Sequence, residues 1–418
     1  METRDITTRH FAAPDIVRLW VIGGTNNVVR WLELLASGLF TYELTRSGLM
    51  VAAVTAARTL PMLMFGAFAG VLSEALDRKR IMQSGMVITA CTSAVICGLA
   101  VAGVARPWQI ALANFICGTI WSAEMSSRRR MVGDRAAPGM LSRVIAVDSL
   151  AGASTRMIGP LLGGVVYEVV GLPGAYAVTL LLSVMNFVLA WPLAHRQVSQ
   201  RLALGGAVRD LLEGVRAAVG IPQVAAVLAV TIAMNAFVFC YSALVAPIAL
   251  TLFHVSNAEV GLLGAAESAG ALIAGLLLAR GIPRLPARTM MIGGSALFAA
   301  CLAVMPLIPS FPLACVVLLL GGSGTAAFSN MQTMLVLDGA PPAMRSRMLG
   351  LITGCIGTGP LGQLLAGWLA DTLGLRLAVE LVALTGLCAI LGIGWVWRRA
   401  ERRAIIAAKA LAGHSTRR

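Results

Sequence analysis

The sequence has few charged residues and few histidines. Charged residues make up 12% of its 418 positions, and soluble globular domains carry about 25%. The four histidines lie at the termini or at the ends of apolar segments, and the eight cysteines lack the paired spacing of metal ligands. No phosphate-binding glycine loop with Lys and no Ser-His-Asp set occurs. We therefore expect no enzyme, no metal site and no cofactor.

Apolar residues dominate instead. They make up 58% of the chain, and the mean hydropathy is +0.83. Many runs exceed the roughly 20 residues that a helix needs to cross a bilayer. Lipid offers no partner to unpaired backbone groups, and the runs show no alternation of period two, so helices are expected rather than a barrel. The pattern predicts an all-α membrane protein with twelve transmembrane helices, at residues 17–42, 48–72, 81–104, 107–127, 143–167, 172–194, 221–251, 257–279, 288–308, 311–335, 347–371 and 375–397.

Basic residues fall mainly on one side of this layout. Of the 33 Lys and Arg residues, 27 lie in the terminal segments and in the connections that follow even-numbered spans. Positively charged loops face the cytoplasm, so both termini are expected there, in a multi-pass protein of a bacterial-type inner membrane. The same distribution explains the net charge of +14 without nucleic acid. We expect a monomer that contacts the lipid bilayer.

Two segments of the chain repeat each other. Residues 134–143 and 338–347 are identical at six of ten positions. Downstream, Gly164, Glu168 and Gly171 are matched by a second set at Gly367, Asp371 and Gly374. Self-similarity of this kind indicates two parallel-repeat six-helix bundles. The predicted units are an N-terminal bundle at 1–195, a cytoplasmic linker with an amphipathic helix at 196–220, a C-terminal bundle at 221–397 and a basic cytoplasmic tail at 398–418.

Gly-Pro pairs occur at corresponding places of the two repeats. Gly159-Pro160 lies in the fifth predicted span, and Gly359-Pro360 lies in the eleventh. Glycine permits close approach of helices in membranes, and that packing role accounts for most of the glycines. The matched Gly-Pro pairs in addition predict a hinge or bend shared by both halves.

The loop from Gly70 to Arg80 resembles a loop of the major facilitator superfamily, whose pattern is close to Gly-x-Leu-x-Asp-Arg-x-x-Arg-Arg. This chain departs from it at Glu74 and Ala75, which stand where the family has Asp and Arg. Residues 42–45, 57–61 and 156–164 resemble the branch that holds enterobactin exporters and proton-coupled drug antiporters. The resemblance implies the major facilitator fold and transport by alternating access. It also implies a cytoplasmic gate, for which the candidates are Glu74, Asp77, Arg78, Arg80, Arg143 and Arg347, although anchoring of the basic side to the membrane would explain the same charges.

Five charged residues lie near the middle of predicted spans, where each costs about 2.5–3.5 kcal/mol to insert and is usually paired or functional. Arg30 and Glu33 share a helix face and can form a local ion pair. Glu267 has no basic neighbour on its own helix. Burial favours the protonated carboxyl group, so Glu267, and after it Glu33, are the candidates for proton coupling. The alternative for Glu267 is an ion pair with Arg58 or Arg156 across the cleft between the bundles.

Further polar residues are expected to line a substrate cavity. Arginine binds carboxylate and phosphate groups in a bidentate manner, so the excess of Arg favours an anionic or zwitterionic substrate. The cavity candidates are Arg30, Arg58, Arg156, Asn26, Asn27, Asn235, Asn330 and Gln332.

The prediction is a secondary active transporter that exports a small amphipathic compound, such as a drug or a siderophore-like metabolite, in exchange for protons. Two alternatives on the same fold are an uptake permease and a lysolipid flippase. An alternative of another class is a membrane sensor that has lost transport. Substrate, direction and coupling ion are not encoded in any single motif.

Overall fold

The computed structural model describes residues 14–75, 77–135, 140–193, 207–282 and 285–415. It describes the backbone without side chains at 66–75, 122, 141–142, 145–146, 207–212, 343, 346 and 402–415. The described part of the chain is helical throughout and contains no strand. In the first half the helices are α1 (Pro14–Thr45), α2 (Gly48–Ala75), α3 (Arg78–Val101), α4 (Pro107–Asp134) and α5 (Leu141–Ala190).

The second half begins with the linker helix α6 (Ala207–Gly220) and continues with α7 (Pro222–Ala233). An irregular stretch follows, with π-helical turns at Met234–Val238 and Ala249–Phe253 around a 3₁₀ turn and the short α8 (Val245–Ile248). The remaining helices are α9 (Asn257–Ala279), α10 (Ala287–Val304), α11 (Phe311–Gly339), α12 (Arg345–Ile356), α13 (Gly359–Leu373) and α14 (Leu375–Ser415).

Nine helices in the described residues are long and apolar enough to cross a membrane. One of them, Val147–Ala190, is 44 residues long and is divided by Gly171, which has a left-handed φ of 67°. α1 and α4 contain 32 and 28 residues but are not among the nine. The all-helical membrane fold is therefore confirmed, while the count of twelve stays a prediction.

The Gly-Pro pairs predicted a hinge or bend in both repeats, and this prediction is wrong for the first repeat. The eleventh predicted span is interrupted at Gly357 and Thr358, which separate α12 from α13. Pro160, however, lies inside a continuous part of α5, whose break occurs at Gly171 instead. Proline at the first turn of a helix costs no hydrogen bond, so Pro360 starts α13 without strain. The same dipeptide thus begins a helix in one copy and is accommodated inside a helix in the other.

The two halves meet along two pairs of helices. α5 packs against α9, and α2 packs against α13. Within each half, α5 packs on α1 and α3, and α11 packs on α9 and α10. Asp15, Trp191 and Glu401 mark one end of the bundle, which we call the terminal end. Thr45, Gly171 and Leu373 mark the opposite end, which we call the far end.

Carboxylates tie the halves together at the far end. Asp371, in the last turn of α13, accepts hydrogen bonds from the backbone N–H of Gly48 at 2.6 Å and of Leu49 at 3.2 Å, at the start of α2. Glu168 in α5 accepts one from the backbone N–H of Asn257, at the start of α9, at 2.8 Å. Helix N-termini attract carboxylates because their N–H groups lack partners. Glu168 and Asp371 are equivalent in the repeat, so the closure has the symmetry of the duplication.

Candidate functional site

A cavity of about 720 Å³ lies between the two halves. Its lining runs from Gly38 and Gly264 at mid-depth to Arg129 and Asp148 near the terminal end. The Arg129 side chain is 60% exposed, while the far end is closed by the hydrogen bonds just described. The cavity is therefore accessible from the terminal end. The irregular stretch after α7 lines it, as expected where non-α backbone lies at membrane depth.

An ion pair between the halves lies in this cavity. Nη2 of Arg156, from α5, donates to Oε2 of Glu267, from α9, at 2.8 Å. The Glu267 side chain is 3% exposed, whereas that of Arg156 is 34% exposed. Oε1 of Glu267 is buried and has no hydrogen-bond partner. Of the two sequence hypotheses for Glu267, the ion pair across the cleft is thus present, while proton coupling stays a prediction.

The backbone around Glu267 is held from two sides. α9 starts with a capping box in which Ser256 and Glu259 exchange hydrogen bonds. Behind Glu267, α11 approaches so closely that a Cβ atom at Gly322 would overlap with the carbonyl oxygen of Glu267. The backbone that carries the carboxylate is therefore held in place by α11 and by the cap of α9.

Glu33 and Arg58 form a second ion pair, behind the cavity wall. Nη1 of Arg58 donates to Oε2 of Glu33 at 2.7 Å, and the two side chains are 5% and 2% exposed. Ser93 donates to the other oxygen of Glu33 at 3.3 Å. Neither Glu33 nor Arg58 lines the cavity. The hypothesis of a local pair between Arg30 and Glu33 is wrong, because a neighbouring helix supplies the partner of Glu33.

Arg30 stacks on tryptophan instead. Its guanidinium carbon lies 3.9 Å from the ring centre of Trp121, in α4, and 5.3 Å from that of Trp31. Arg156 lies on the same Trp31 ring at 5.4 Å. Gly159 lets the α1 backbone approach, since a Cβ atom there would lie 2.5 Å from Cβ of Trp31. Two arginines from different helices thus flank one indole ring in the cavity wall.

The remaining polar candidates separate into two groups. Asn26, Asn27, Asn235 and Gln332 line the cavity together with Arg30 and Arg156. Asn330 is exposed and donates to the backbone of its own helix, and it lies outside the lining, as does Arg58. Residues two apart on α11 face different directions, which explains why Gln332 reaches the cavity and Asn330 does not.

A family model described as transmembrane secretion effector matches residues 10–411. The chain belongs to this family of the major facilitator superfamily. Its members are transporters rather than enzymes. No curated protein sequence matches the chain.

Solved structures with this fold include other superfamily transporters. A bacterial homologue of the human lysosomal transporter Spinster, inward-facing and unoccupied, has a TM-score of 0.70 at 17% identity, covering 92% of this chain and 96% of that one. A D-xylose–proton symporter has a TM-score of 0.68 at 11% identity, covering 92% and 97%. A point mutant of the nucleoside transporter NupG has a TM-score of 0.68 at 16% identity, covering 90% and 98%. At these identities the likeness shows the fold alone.

Several of the gate candidates form local contacts at the terminal end. Asp77 caps α3 by accepting from the backbone N–H of Arg80 at 3.0 Å. Arg78 pairs with Asp134, at the end of α4, at 2.7 Å. Arg347 pairs with Glu213 of the linker helix at 3.4 Å. Arg143 is exposed, and the Glu74 side chain lies outside the described residues. The role of these residues as a gate stays a prediction.

The lining also contains a buried carboxylate that was not among the sequence candidates. Glu124 is 8% exposed and accepts a hydrogen bond from Asn26, whose oxygen accepts from Asn186 at 2.6 Å. Nearer the terminal end, Arg128 pairs with Asp148 at 2.5 Å. In the sequence Glu124 lies near a span end rather than at mid-span. Glu124 lies one turn before the basic run 128–130, on the same helix face as Arg128. This spacing is the feature of the sequence that could have identified Glu124 as a cavity residue.

Proposed function

We propose that this chain is a proton-coupled exporter of a small amphipathic compound, which it moves by alternating access. The observation that carries the proposal is the ion pair between Arg156 and Glu267. It joins the two halves inside the cavity and contains a buried carboxyl group with one free oxygen. A proton on Glu267 removes the negative charge that holds Arg156, so protonation changes the energy of the contact between the halves.

For the proposed export, the substrate has to enter on the side on which the cavity is accessible in this structure. The terminal end carries most of the basic residues, which favours a cytoplasmic location. A substrate would then enter the cavity from the cytoplasm and leave after the far end opens. Breaking the closures at Asp371 and Glu168 and closing the gate at the terminal end would complete the exchange.

The lining supports an amphipathic substrate. Aromatic side chains of both halves, among them Trp31, Trp121 and Phe239, face the cavity together with arginine and amide groups. An aromatic wall with a few placed polar groups is the usual composition of a small-molecule site. The similar fold of a D-xylose–proton symporter supports proton coupling in this architecture.

The proposal is tested in two steps. A panel of siderophores and amphipathic dyes is first screened by thermal shift on the purified protein in lipid nanodiscs. A compound that stabilises the protein is then followed in inside-out vesicles with an acidified lumen. Accumulation that a protonophore abolishes supports proton-coupled export.

Other outcomes identify the alternatives. Accumulation only in right-side-out vesicles with an inward proton gradient would indicate an uptake permease. Movement of a labelled lysolipid between leaflets, without accumulation of soluble compounds, would indicate a flippase. Failure of every compound and lipid to move would contradict transport and favour a sensor.

A further inference from the structure

Arg30 is a cation in the cavity wall whose charge is not balanced. Among the described arginines that line the cavity or lie behind its wall, Arg58, Arg128, Arg129 and Arg156 each form an ion pair with a carboxylate. Arg30 forms none, and its Nε is buried without a hydrogen-bond partner. A charged side chain is costly at membrane depth, and such residues usually have a partner or a function.

The neighbouring charged groups do not balance the charge of Arg30. The charged groups that act on it are the guanidinium groups of Arg58 and Arg156. The carboxylates of Glu33 and Glu267 are each engaged by one of those two arginines. The two neighbouring pairs are therefore neutral overall, and no carboxylate among the described residues forms an ion pair with Arg30, so its charge stays unbalanced.

The stacking geometry leaves the hydrogen-bond donors of Arg30 available. A guanidinium group carries its five N–H donors in its own plane. Trp121 contacts this group at 3.9 Å from the ring centre and offers only its π-face, which attracts the charge without accepting all of the donors. Oxygen atoms of a ligand can therefore approach the edge of the guanidinium group from the cavity, while the tryptophan holds the group in place.

We propose that Arg30 is the centre of an anion-binding subsite, which takes the carboxylate, sulfonate or phosphate group of an aromatic substrate. The anionic group binds to the guanidinium edge in a bidentate manner. The flat part of the ligand packs against Trp31 and Trp121 or against the aromatic residues of the opposite half, of which Phe239 and Phe328 lie 5.9 Å apart. This inference rests on the proposed function, since it specifies the class of substrate that enters the same cavity.

Export of an anion also agrees with the membrane potential. A negative charge that leaves a negatively polarised cytoplasm is driven outward by the membrane potential. Because the ion pair between Arg156 and Glu267 is separate from the unpaired Arg30, the proton and the anionic group have different sites in one cavity. A substrate can therefore be held at Arg30 whether or not Glu267 carries a proton.

The test uses three probes that share one ring system and differ in charge. They are naphthalene-2-sulfonate, neutral 2-naphthylmethanol and trimethyl-2-naphthylammonium. Binding to the full chain in lipid nanodiscs is measured by calorimetry, with empty nanodiscs as the blank. We expect the sulfonate to bind most tightly, and Arg30→Gln to weaken it by about tenfold or more while leaving the neutral alcohol unchanged. Arg280→Gln, which removes an exposed arginine outside the lining, is the matched control and should change neither affinity.

Two results would overturn the subsite. One is tighter binding of the ammonium probe than of the sulfonate to the unmodified chain, which needs no variant to fold. The other is an unchanged sulfonate affinity in folded Arg30→Gln. If that variant does not fold, Arg30→Lys replaces it, because lysine keeps the charge and loses the bidentate edge, and an undiminished sulfonate affinity there would overturn the subsite. These measurements use no proton gradient. Sulfonate binding that depends on Arg30, in a chain that shows no gradient-driven transport, would therefore contradict the proposed function alone. Gradient-driven transport in a chain whose sulfonate binding does not depend on Arg30 would contradict the subsite alone.

Discussion

Asp371 accepts a hydrogen bond from the backbone N–H of Gly48 at 2.6 Å, and these two residues belong to different halves of the molecule. Its equivalent in the internal repeat, Glu168, makes the same kind of contact with Asn257 at 2.8 Å. Each carboxylate lies at the N-terminus of a long helix of the opposite half, where the helix dipole favours negative charge. The far end is therefore closed by two contacts that have to break together when the halves rock.

We predict that Asp371→Asn weakens one of these closures and leaves the other intact. A hydrogen bond to a charged group contributes about 1.5–3 kcal/mol, so exchange of the Gly48 and Leu49 amide hydrogens should accelerate by about tenfold or more. Hydrogen–deuterium exchange with mass spectrometry measures both closures in one experiment. The amide of Asn257 serves as the internal control, and Glu168→Gln should give the opposite pattern. Unchanged exchange at Gly48 in Asp371→Asn would show that the carboxylate does not hold the far end.

Two glycines bring the halves together beside these carboxylates. A Cβ atom at Gly164 would lie 2.7 Å from the carbonyl oxygen of Asn257, and one at Gly367 would lie 2.6 Å from Cβ of Ala52. Alanine at either position therefore has to push the halves apart, at a cost of about 1–3 kcal/mol for overpacking. We predict that Gly164→Ala and Gly367→Ala shift the population towards a state that is open at the far end.

That shift can be measured as a distance between spin labels at Val104 and Ser310. These residues are exposed, lie at the far end and belong to different halves. The exposed cysteines, Cys91 and Cys388, are first replaced. Gly275→Ala is the control, because a Cβ atom there meets nothing within 4 Å. Equal distance distributions in all variants would mean that the close approach at Gly164 and Gly367 does not control opening.

Glu33 and Arg58 are predicted to act on stability rather than on proton coupling. Both are buried and neither lines the cavity. Removal of one partner leaves a buried charge unpaired, which costs about 3–5 kcal/mol. Glu33→Gln should therefore lower the midpoint of unfolding, and Glu33→Gln combined with Arg58→Gln should recover part of the loss. A pH dependence of transport that disappears in folded Glu33→Gln would instead assign coupling to Glu33.

The sequence predicted the parts of the fold that depend on composition and periodicity. Long apolar runs indicated the helices, and the repeat of residues 134–143 at 338–347 indicated two similar halves. The sequence also placed Glu267 on a helix without a basic neighbour, which correctly left Arg156 of the other half as a possible partner. Helix spacing was sufficient for that prediction because it concerned only the neighbours of Glu267 on its own helix.

The predictions that failed depend on contacts between helices. Spacing put Glu33 on the same face as Arg30, but Arg58 of α2 reaches Glu33, and Arg30 stacks on Trp121 of α4. The Gly-Pro pairs looked equivalent, yet only the repeat with Gly357 is broken nearby. Glu168 and Asp371 were recognised as a repeated pair, but their role as caps of the opposite half needs the packing of α5 on α9 and of α13 on α2.

Arg156 and Glu267 are predicted to stabilise the conformation in which the cavity is accessible from the terminal end. Because Arg156 is partly exposed, the pair should contribute less than a fully buried one, about 1–3 kcal/mol in a double-mutant cycle. The cycle compares Arg156→Gln, Glu267→Gln and the double variant by thermal unfolding. Additive effects of the two substitutions would contradict an energetic connection between the halves at this pair.

The most direct measurement of the central claim is transport against pH in Glu267→Gln, with a compound that the unmodified chain moves in inside-out vesicles. Glu259→Gln is the matched control on the same helix, because glutamine also serves in a capping box. The account predicts that Glu267→Gln still binds the compound but loses its dependence on the proton gradient, while Glu259→Gln keeps it. A proton dependence that persists unchanged in Glu267→Gln would contradict the account.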